Sequence, residues 1–304
     1  MVTIPGYVNG VRDQTPPPSQ RSETTASLSP VAALVRLHDR DRYQTALFAP
    51  VARREALFAL YAFNYEIARV RETVTQPTLG RIRLEWWREN IAAAYGTGPA
   101  RRHPVVEPLT DVIREYRLTR QHFEELIDAR TEDFDDDPPP DLAALETYAE
   151  GTSARLLDLA LEVLGVGDAA AILAARHVGI AFALSGLLRA LPMRSPAYRP
   201  LIPVEIAQRN GLDLANTRQM RGSPAMRAAV AEIATRAQQH LRAARATRRA
   251  VPRAALPALL PAVIADRSLA RLRRAGYDPF DPALQPPDPL QSWRLALAML
   301  GRRF

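Results

Sequence analysis

Cysteine is absent from this sequence, which excludes disulfides, thiolate nucleophiles and Cys-ligated zinc or iron–sulfur centres. A cytoplasmic setting is therefore expected over an oxidising, secreted one. Lysine is absent too: all 40 basic residues are arginine, and they come with 26 prolines and abundant alanine. Such a bias follows from GC-rich coding sequence, so the net charge of +7 does not by itself call for nucleic acid, and no nucleic-acid partner is expected. Long hydrophobic runs are missing as well. The stretches "HVGIAFALSGLL" and "AALPALLPAVIA" fall short of the roughly 20 apolar residues that cross a bilayer, which points to a soluble or peripheral protein. Met1 to Pro30 mixes Pro, Ser, Thr and charge without an apolar signal core, and residues 1–29 are expected to form a disordered arm. No GxGxxG or P-loop is present, and "GTG" at Gly96 to Gly98 follows a helix and reads as a loop.

What is there is helical periodicity, with no run of alternating β-branched residues. The fold class expected is all-α. Ser29-Pro30 supplies an N-cap and a first-turn proline, and Pro50 opens a long helix to about Thr73. Along it Leu57, Leu60, Tyr61, Asn64, Ile67 and Ala68 fall on one stripe that should face a core or a cavity. Further helices are expected over roughly 78–95, 105–116, 120–130, 141–164, 168–191, 204–210, 224–250, 254–275 and 289–301. No repeat or long linker interrupts residues 30–304, which are expected to form one helical domain. Arg218 to Arg274 holds 13 arginines against Glu232 and Asp266. That segment is either a solvated helix face or a surface for anionic lipid or an acidic partner.

The five histidines, at 38, 103, 122, 177 and 240, include no pair three or four apart, so no zinc site is expected. "EDFDDD" at Glu132 to Asp137 looks like an aspartate cluster for magnesium. The three prolines that follow forbid the helix on which i,i+4 carboxylates would share a metal, and a solvated loop or acidic docking patch is expected instead. In "RLEWWREN" the adjacent Trp86 and Trp87 point to different sides of a helix, one into the core and one outward. Arg83, Glu85 and Arg88 around them read as surface charges.

At "RYQTALFAPVARREALFALYAFNYEIARVRE" the chain resembles the squalene/phytoene synthase family. The resemblance continues through "RLEWWREN", "HPVVEPLTDVIREYRL", "LIDAR", "YAEGTSARLLDLA", "GIAFALSGLLRALP", "YRPLIP" and "LARLRRAGYDPF", covering nearly all of Arg42 to Phe280. It implies an isoprenoid synthase fold, with helices around a central cavity. It also implies Mg²⁺-dependent head-to-head condensation of prenyl diphosphates, in which two aspartate-rich motifs hold the metal against the leaving diphosphate. Mapped residue by residue, the first motif falls on Ala68, Arg69 and Glu72. The second, after Leu187, Leu188 and Arg189, falls on Ala190 and Arg194, with Pro192 between them. Gly186 and Ala183 replace a nearby asparagine and glutamine.

Four of five metal positions are thus lost, two of them to arginine, which cannot ligate a cation and would repel one. No catalytic residue, metal or cofactor is expected; Mg²⁺ would be needed only if the chain were a synthase. The pattern resembles the branch of the family that contains the mitochondrial complex I assembly factor and its α-proteobacterial relatives. It implies a non-catalytic role in assembling complex I, with a complex I subunit or assembly protein as partner. The location implied is cytoplasmic, peripheral on the inner membrane, or the matrix side in a mitochondrial homologue. Alternatives are an active squalene- or phytoene-type synthase and a non-catalytic isoprenoid- or lipid-binding protein. In the last, Tyr61, Ile67, Ala183, Leu184 and Leu187 line a cavity and Arg69, Arg189 and Arg194 hold an anionic head.

Overall fold

The computed structural model describes residues 28–193, 201–216 and 221–304. The expected arm over 1–29 lies outside them except for its last two residues, and Arg194 lies outside them altogether. Fifteen α-helices occur among the described residues, and no strand. They are α1 Pro30–His38, α2 Arg40–Ala46, α3 Val51–Ala68, α4 Val70–Thr73, α5 Pro77–Ala94, α6 Val106–Tyr116, α7 Arg120–Thr131, α8 Leu142–Ala149, α9 Arg155–Leu164, α10 Ala169–Ala190, α11 Val204–Asn210, α12 Pro224–Ala246, α13 Leu256–Leu259, α14 Pro261–Arg274 and α15 Gln291–Leu300.

Local chemistry explains most of the boundaries. Ser29 Oγ accepts from the Ala32 N–H at 3.1 Å, ahead of Pro30, and Asp39 Oδ1 accepts from the Arg42 N–H at 3.0 Å to start α2; both satisfy donors that an open helix end leaves free. The expected helix over 254–275 breaks at Leu260 because Pro261 brings no N–H to continue it. The helix expected over 141–164 is interrupted by a π-helical turn, Glu150–Ala154, and the one expected from Pro50 to Thr73 is divided at Arg69.

Helix α10 is the centre of the molecule, packed against α9, α12, α14 and the π turn. With the 3-10 turn that follows, Ala169–Met193 is 25 residues long and apolar enough to cross a bilayer, but more than half of its most apolar window is buried inside the protein. Arg176 and Arg189 interrupt it, so its uncharged stretch is the short one seen in the sequence, and the fold uses the helix as core. Its register is fixed at Gly179, where an added Cβ would stand 2.4 Å from Ala154 Cα and 2.7 Å from Ala154 N. Only a residue without a side chain lets α10 touch the π turn this closely.

Ion pairs tie the helices around α10. Arg155 bridges Glu125 at 2.9 Å and Asp158 at 2.7 Å and also meets Glu150, which Arg176 of α10 holds at 2.9 Å. Farther along, Glu146 of α8 meets Arg236 of α12 and accepts from His240 Nε2 at 2.8 Å, and His240 Nδ1 lies 2.9 Å from His177 Nδ1. Burial and the neighbouring His240 and Arg176 push the His177 pKa down. Burial alone would raise Glu146, but hydrogen bonds from Arg236 and His240 outweigh it and hold the carboxyl below the usual range. The acidic run is not wholly a solvated loop: Asp133 Oδ1 accepts from the Tyr148 hydroxyl at 2.7 Å, and Phe134 is buried against Gly80. The tryptophans divide as expected in part, Trp87 fully buried and Trp86 half-buried, both edge-on to His103.

Gly179→Ala is expected to lower unfolding stability by about 1–3 kcal/mol, the usual cost of overpacking, as read from urea denaturation. Acid should destabilise the fold through both shifted groups. The unfolded chain protonates His177 near its ordinary pKa of about 6.5, above the depressed folded value, so stability is full above that pH and declines as pH falls through it. Glu146 adds a second loss at lower pH. The denaturation midpoint should therefore fall between about pH 7 and about pH 5.5, and His177→Gln should flatten that slope.

Candidate functional site

The apolar stripe of α3 is buried as its spacing requires: Leu57, Leu60, Tyr61, Asn64 and Ile67 are all inside, and Ala68 is half-buried. Opposite Tyr61, α2 delivers a charged side chain into the interior. Arg42 is 8% exposed; its Nη1 lies 2.7 Å from Asp39 Oδ2, and its guanidinium carbon sits 4.9 Å above the Phe182 ring of α10. Its Nε has no hydrogen-bond partner among the described residues. Burial pushes the Tyr61 hydroxyl up to about 12, with the nearby Arg42 charge acting the other way. The space where α2, α3 and α10 meet is therefore plugged by an ion pair resting on an aromatic ring. Sequence reasoning missed Arg42 and Asp39. The available signal was an i,i+3 acid–base pair heading the segment that carries the resemblance.

The positions mapped from the two acidic motifs fall at the end of α3, on α4 and at the end of α10, with Arg194 outside the described residues. Arg69 ends α3 and is half-buried; its Nη1 lies 3.4 Å from the Tyr65 hydroxyl and 3.6 Å from Glu66 Oε1, and these contacts raise its pKa. His38 stacks on the other participant, Tyr65, with centroids 4.4 Å apart. Glu72, on α4, is exposed. On α10, Ala183, Gly186, Leu187 and Ala190 are all half-buried and recur at helical spacing. A Cβ built on Gly186 would meet nothing within 4 Å, so this stripe borders open space. Among the described residues no group of three or more His, Cys, Asp or Glu side chains is placed to hold a metal ion. Two alanines, an arginine already engaged by Glu66 and one exposed glutamate do not make a donor set for magnesium.

Arg189 stands apart from this stripe. Two positions beyond Leu187, it is turned roughly 160° around the helix, and it pairs with Asp41 of α2 at 3.0 Å. With Ser185, Leu188 and Pro192 it lines a second space, a cavity of about 370 Å³ against α2, α14 and the segment leading into α15. Ile264, Leu272 and Leu284 contribute apolar walls. Arg271 donates to the Ala283 and Pro286 carbonyls at 2.7 and 2.8 Å, while Asp288 is shared by Arg267 and Arg294 at 3.2 and 3.1 Å. The structure thus brings Tyr61, Ile67 and Leu184 into the core, leaves Arg69 at the end of α3, and places Ala183 and Leu187 on the opposite face of α10 from Arg189.

An all-α chain wrapped around a central apolar helix, with this order of elements, matches known proteins over most of its length. The sequence model of the squalene/phytoene synthase family matches residues 35–300. The chain belongs to the squalene/phytoene synthase family. Its fold is that of the isoprenoid synthases: the squalene synthase HpnC of Alicyclobacillus acidocaldarius superposes with a TM-score of 0.72, at 22% identity, over 82% of this chain and 94% of that one. Among curated relatives, the human NADH dehydrogenase (ubiquinone) complex I, assembly factor 6, is 32% identical over 268 residues, 86% of this chain and 80% of the relative. The presqualene diphosphate synthase of Rhodopseudomonas palustris is 28% identical over 204 residues, 66% of this chain and 72% of that enzyme.

The Asp39–Arg42 pair gives a direct test of the plugged interior. Asp39→Asn keeps the helix cap but strands the buried guanidinium, and a loss of about 3 kcal/mol or more is expected in urea denaturation. Combining it with Arg42→Leu should recover most of that loss, because no charge is then left unpaired inside.

Proposed function

We propose that this protein is a non-catalytic member of the squalene/phytoene synthase family that acts in the assembly of respiratory complex I, peripherally on the cytoplasmic face of the inner membrane or its matrix-side equivalent. The observation that carries the reading is the replacement at the acidic positions: Ala68, Arg69 and Ala190 supply no carboxylate, and the Arg69 charge is engaged by Glu66. A prenyl diphosphate ionises only where its leaving group is neutralised. A guanidinium can hold such a group, but without metal ligands the site has no cation cluster to stabilise it as the carbon–oxygen bond breaks. The 32% identity with the human assembly factor over most of both chains supports the choice of process, and a complex I subunit or assembly protein is the partner it suggests.

A second reading is favoured by the half-buried stripe of Ala183, Gly186 and Leu187, which borders open space. In it, the protein holds an isoprenoid or other lipid without reacting it, with Arg69 at the head group. Active condensation is the third reading, and it alone requires Mg²⁺.

Purified protein given Mg²⁺ and farnesyl or geranylgeranyl diphosphate should release no pyrophosphate above a boiled control, while an authentic synthase alongside does; turnover would overturn the non-catalytic reading. Deleting the gene in a host that respires through complex I should remove assembled NADH–quinone oxidoreductase from its membranes. Normal assembly in that host would overturn the proposed process. Lipid extracted from the purified protein would identify the second reading.

A further inference from the structure

Helix α15 buries one face and leaves another apolar face bare. Leu295 and Ala298 are buried against the body of the protein, whereas Leu290, Trp293, Leu297 and Leu300 are 50, 71, 65 and 75% exposed. Those four positions fall at offsets of three, seven and ten, so they form one ridge on the outer side of a single helix. A convex row of large apolar side chains with a tryptophan among them offers no groove for a protein segment to enter.

Within the segment that carries the ridge the charge has one sign. From Pro289 to Phe304 there is no acidic residue, and Arg294, Arg302 and Arg303 supply three positive charges. Arg302 and Arg303 are exposed, with no ion-pair partner among the described residues. Arg245 near the end of α12 donates from Nε to the Phe304 carbonyl at 2.8 Å. That bond brings the end of α12, with exposed Arg248 and Arg249 one turn farther on, beside the last residues of the chain. The nearest acid in sequence, Asp288, is already held by Arg267 and Arg294.

We infer that α15 is a membrane-docking helix that lies in the interface of an anionic bilayer, with Trp293, Leu297 and Leu300 inserted among the acyl chains and Arg302, Arg303, Arg248 and Arg249 against the head groups. Apolar insertion and electrostatic attraction act together in such helices, and tryptophan is suited to the boundary because its ring is apolar while its N–H stays wet. An anionic bilayer complements both the ridge and its unpaired arginines. The inference rests on the membrane setting of the proposed function, but not on the assembly role.

The test uses the full purified chain and vesicles of phosphatidylcholine, with or without phosphatidylglycerol. With phosphatidylglycerol present the protein should sediment with the vesicles, its tryptophan emission should shift to the blue, and brominated acyl chains should quench it. Trp86 is half-buried and Trp87 buried, so quenching that disappears in Trp293→Phe reports on α15. Trp293→Ser combined with Leu297→Gln should weaken binding about tenfold or more, and Arg302→Gln with Arg303→Gln should reduce the preference for phosphatidylglycerol. Both pairs are exposed, and unchanged circular dichroism and urea midpoint would show that the variants fold.

Failure of the wild-type chain to sediment, or equal binding by the Trp293/Leu297 variant, would overturn the inference. So would a wild-type dimer in light scattering that the same variant turns into monomer, since the ridge would then be an interface between copies. Because the vesicles contain no complex I, these outcomes leave the assembly role to its own test. A variant that loses vesicle binding but restores complex I in the deletion host would separate the two.

Discussion

The contact of Gly179 with the backbone of Ala154 fixes where every α10 side chain of the candidate site can be. Once α10 is seated against the π turn at that point, helical geometry sets the rest. Phe182, one turn on, meets the Arg42 guanidinium; Ala183, Gly186, Leu187 and Ala190 look one way, and Ser185, Leu188 and Arg189 the other. A helix displaced by one residue would rotate by about 100° and exchange these faces. The small residue and the irregular turn act as a pair, because the π turn carries the backbone of Ala154 to the place where Gly179 can receive it.

Beside that helix, carboxylates at α2 and α3 are met by arginine. Asp39 holds Arg42, Glu66 holds Arg69, and Asp41 holds Arg189. Arginine stays charged at every accessible pH and donates without accepting, so each pair is a permanent internal neutralisation and leaves little carboxylate available to a cation. A buried pair of this kind contributes little to net stability, since removing two charges from water costs about what their attraction returns. Its consequence is geometric. Arg42 sits over the Phe182 ring with its partner fixed at the head of α2, and the position of α2 against α10 follows from it.

The helices were legible in the sequence because their signals are local. Ser29-Pro30 marks a start, Pro261 a break, and the spacing of Leu57, Leu60, Tyr61, Asn64 and Ile67 a buried face, and each is borne out by the structure. The π turn at Glu150–Ala154 and the division at Arg69 were not, because an α-helical period continues across both with little change in pattern. The motif positions could be placed on their helices from sequence, but their neighbours could not. His177 and His240 lie 63 residues apart and meet through the packing of α10 on α12. Arg189 reads as part of the Leu187 face until the helix is built, when two residues of rotation carry it to the far side.

The same limit applies to membrane contact. Mean hydropathy singles out Ala169–Met193 as the segment with membrane character, yet that helix spends its apolar surface on α9, α12 and α14. Helix α15, with 10 residues, is too short to cross a bilayer, yet it leaves Trp293, Leu297 and Leu300 in solvent. What distinguishes them is the number of apolar faces and what covers each one. A helix that is apolar nearly all round can be satisfied only by neighbours on every side, and here the protein supplies most of them. A helix with one seated face and one bare ridge is complete as a structural element and still presents surface to a boundary. The apolar area that meets solvent, and the sign of the charge beside it, therefore locate an interfacial element in this fold better than total hydrophobicity does.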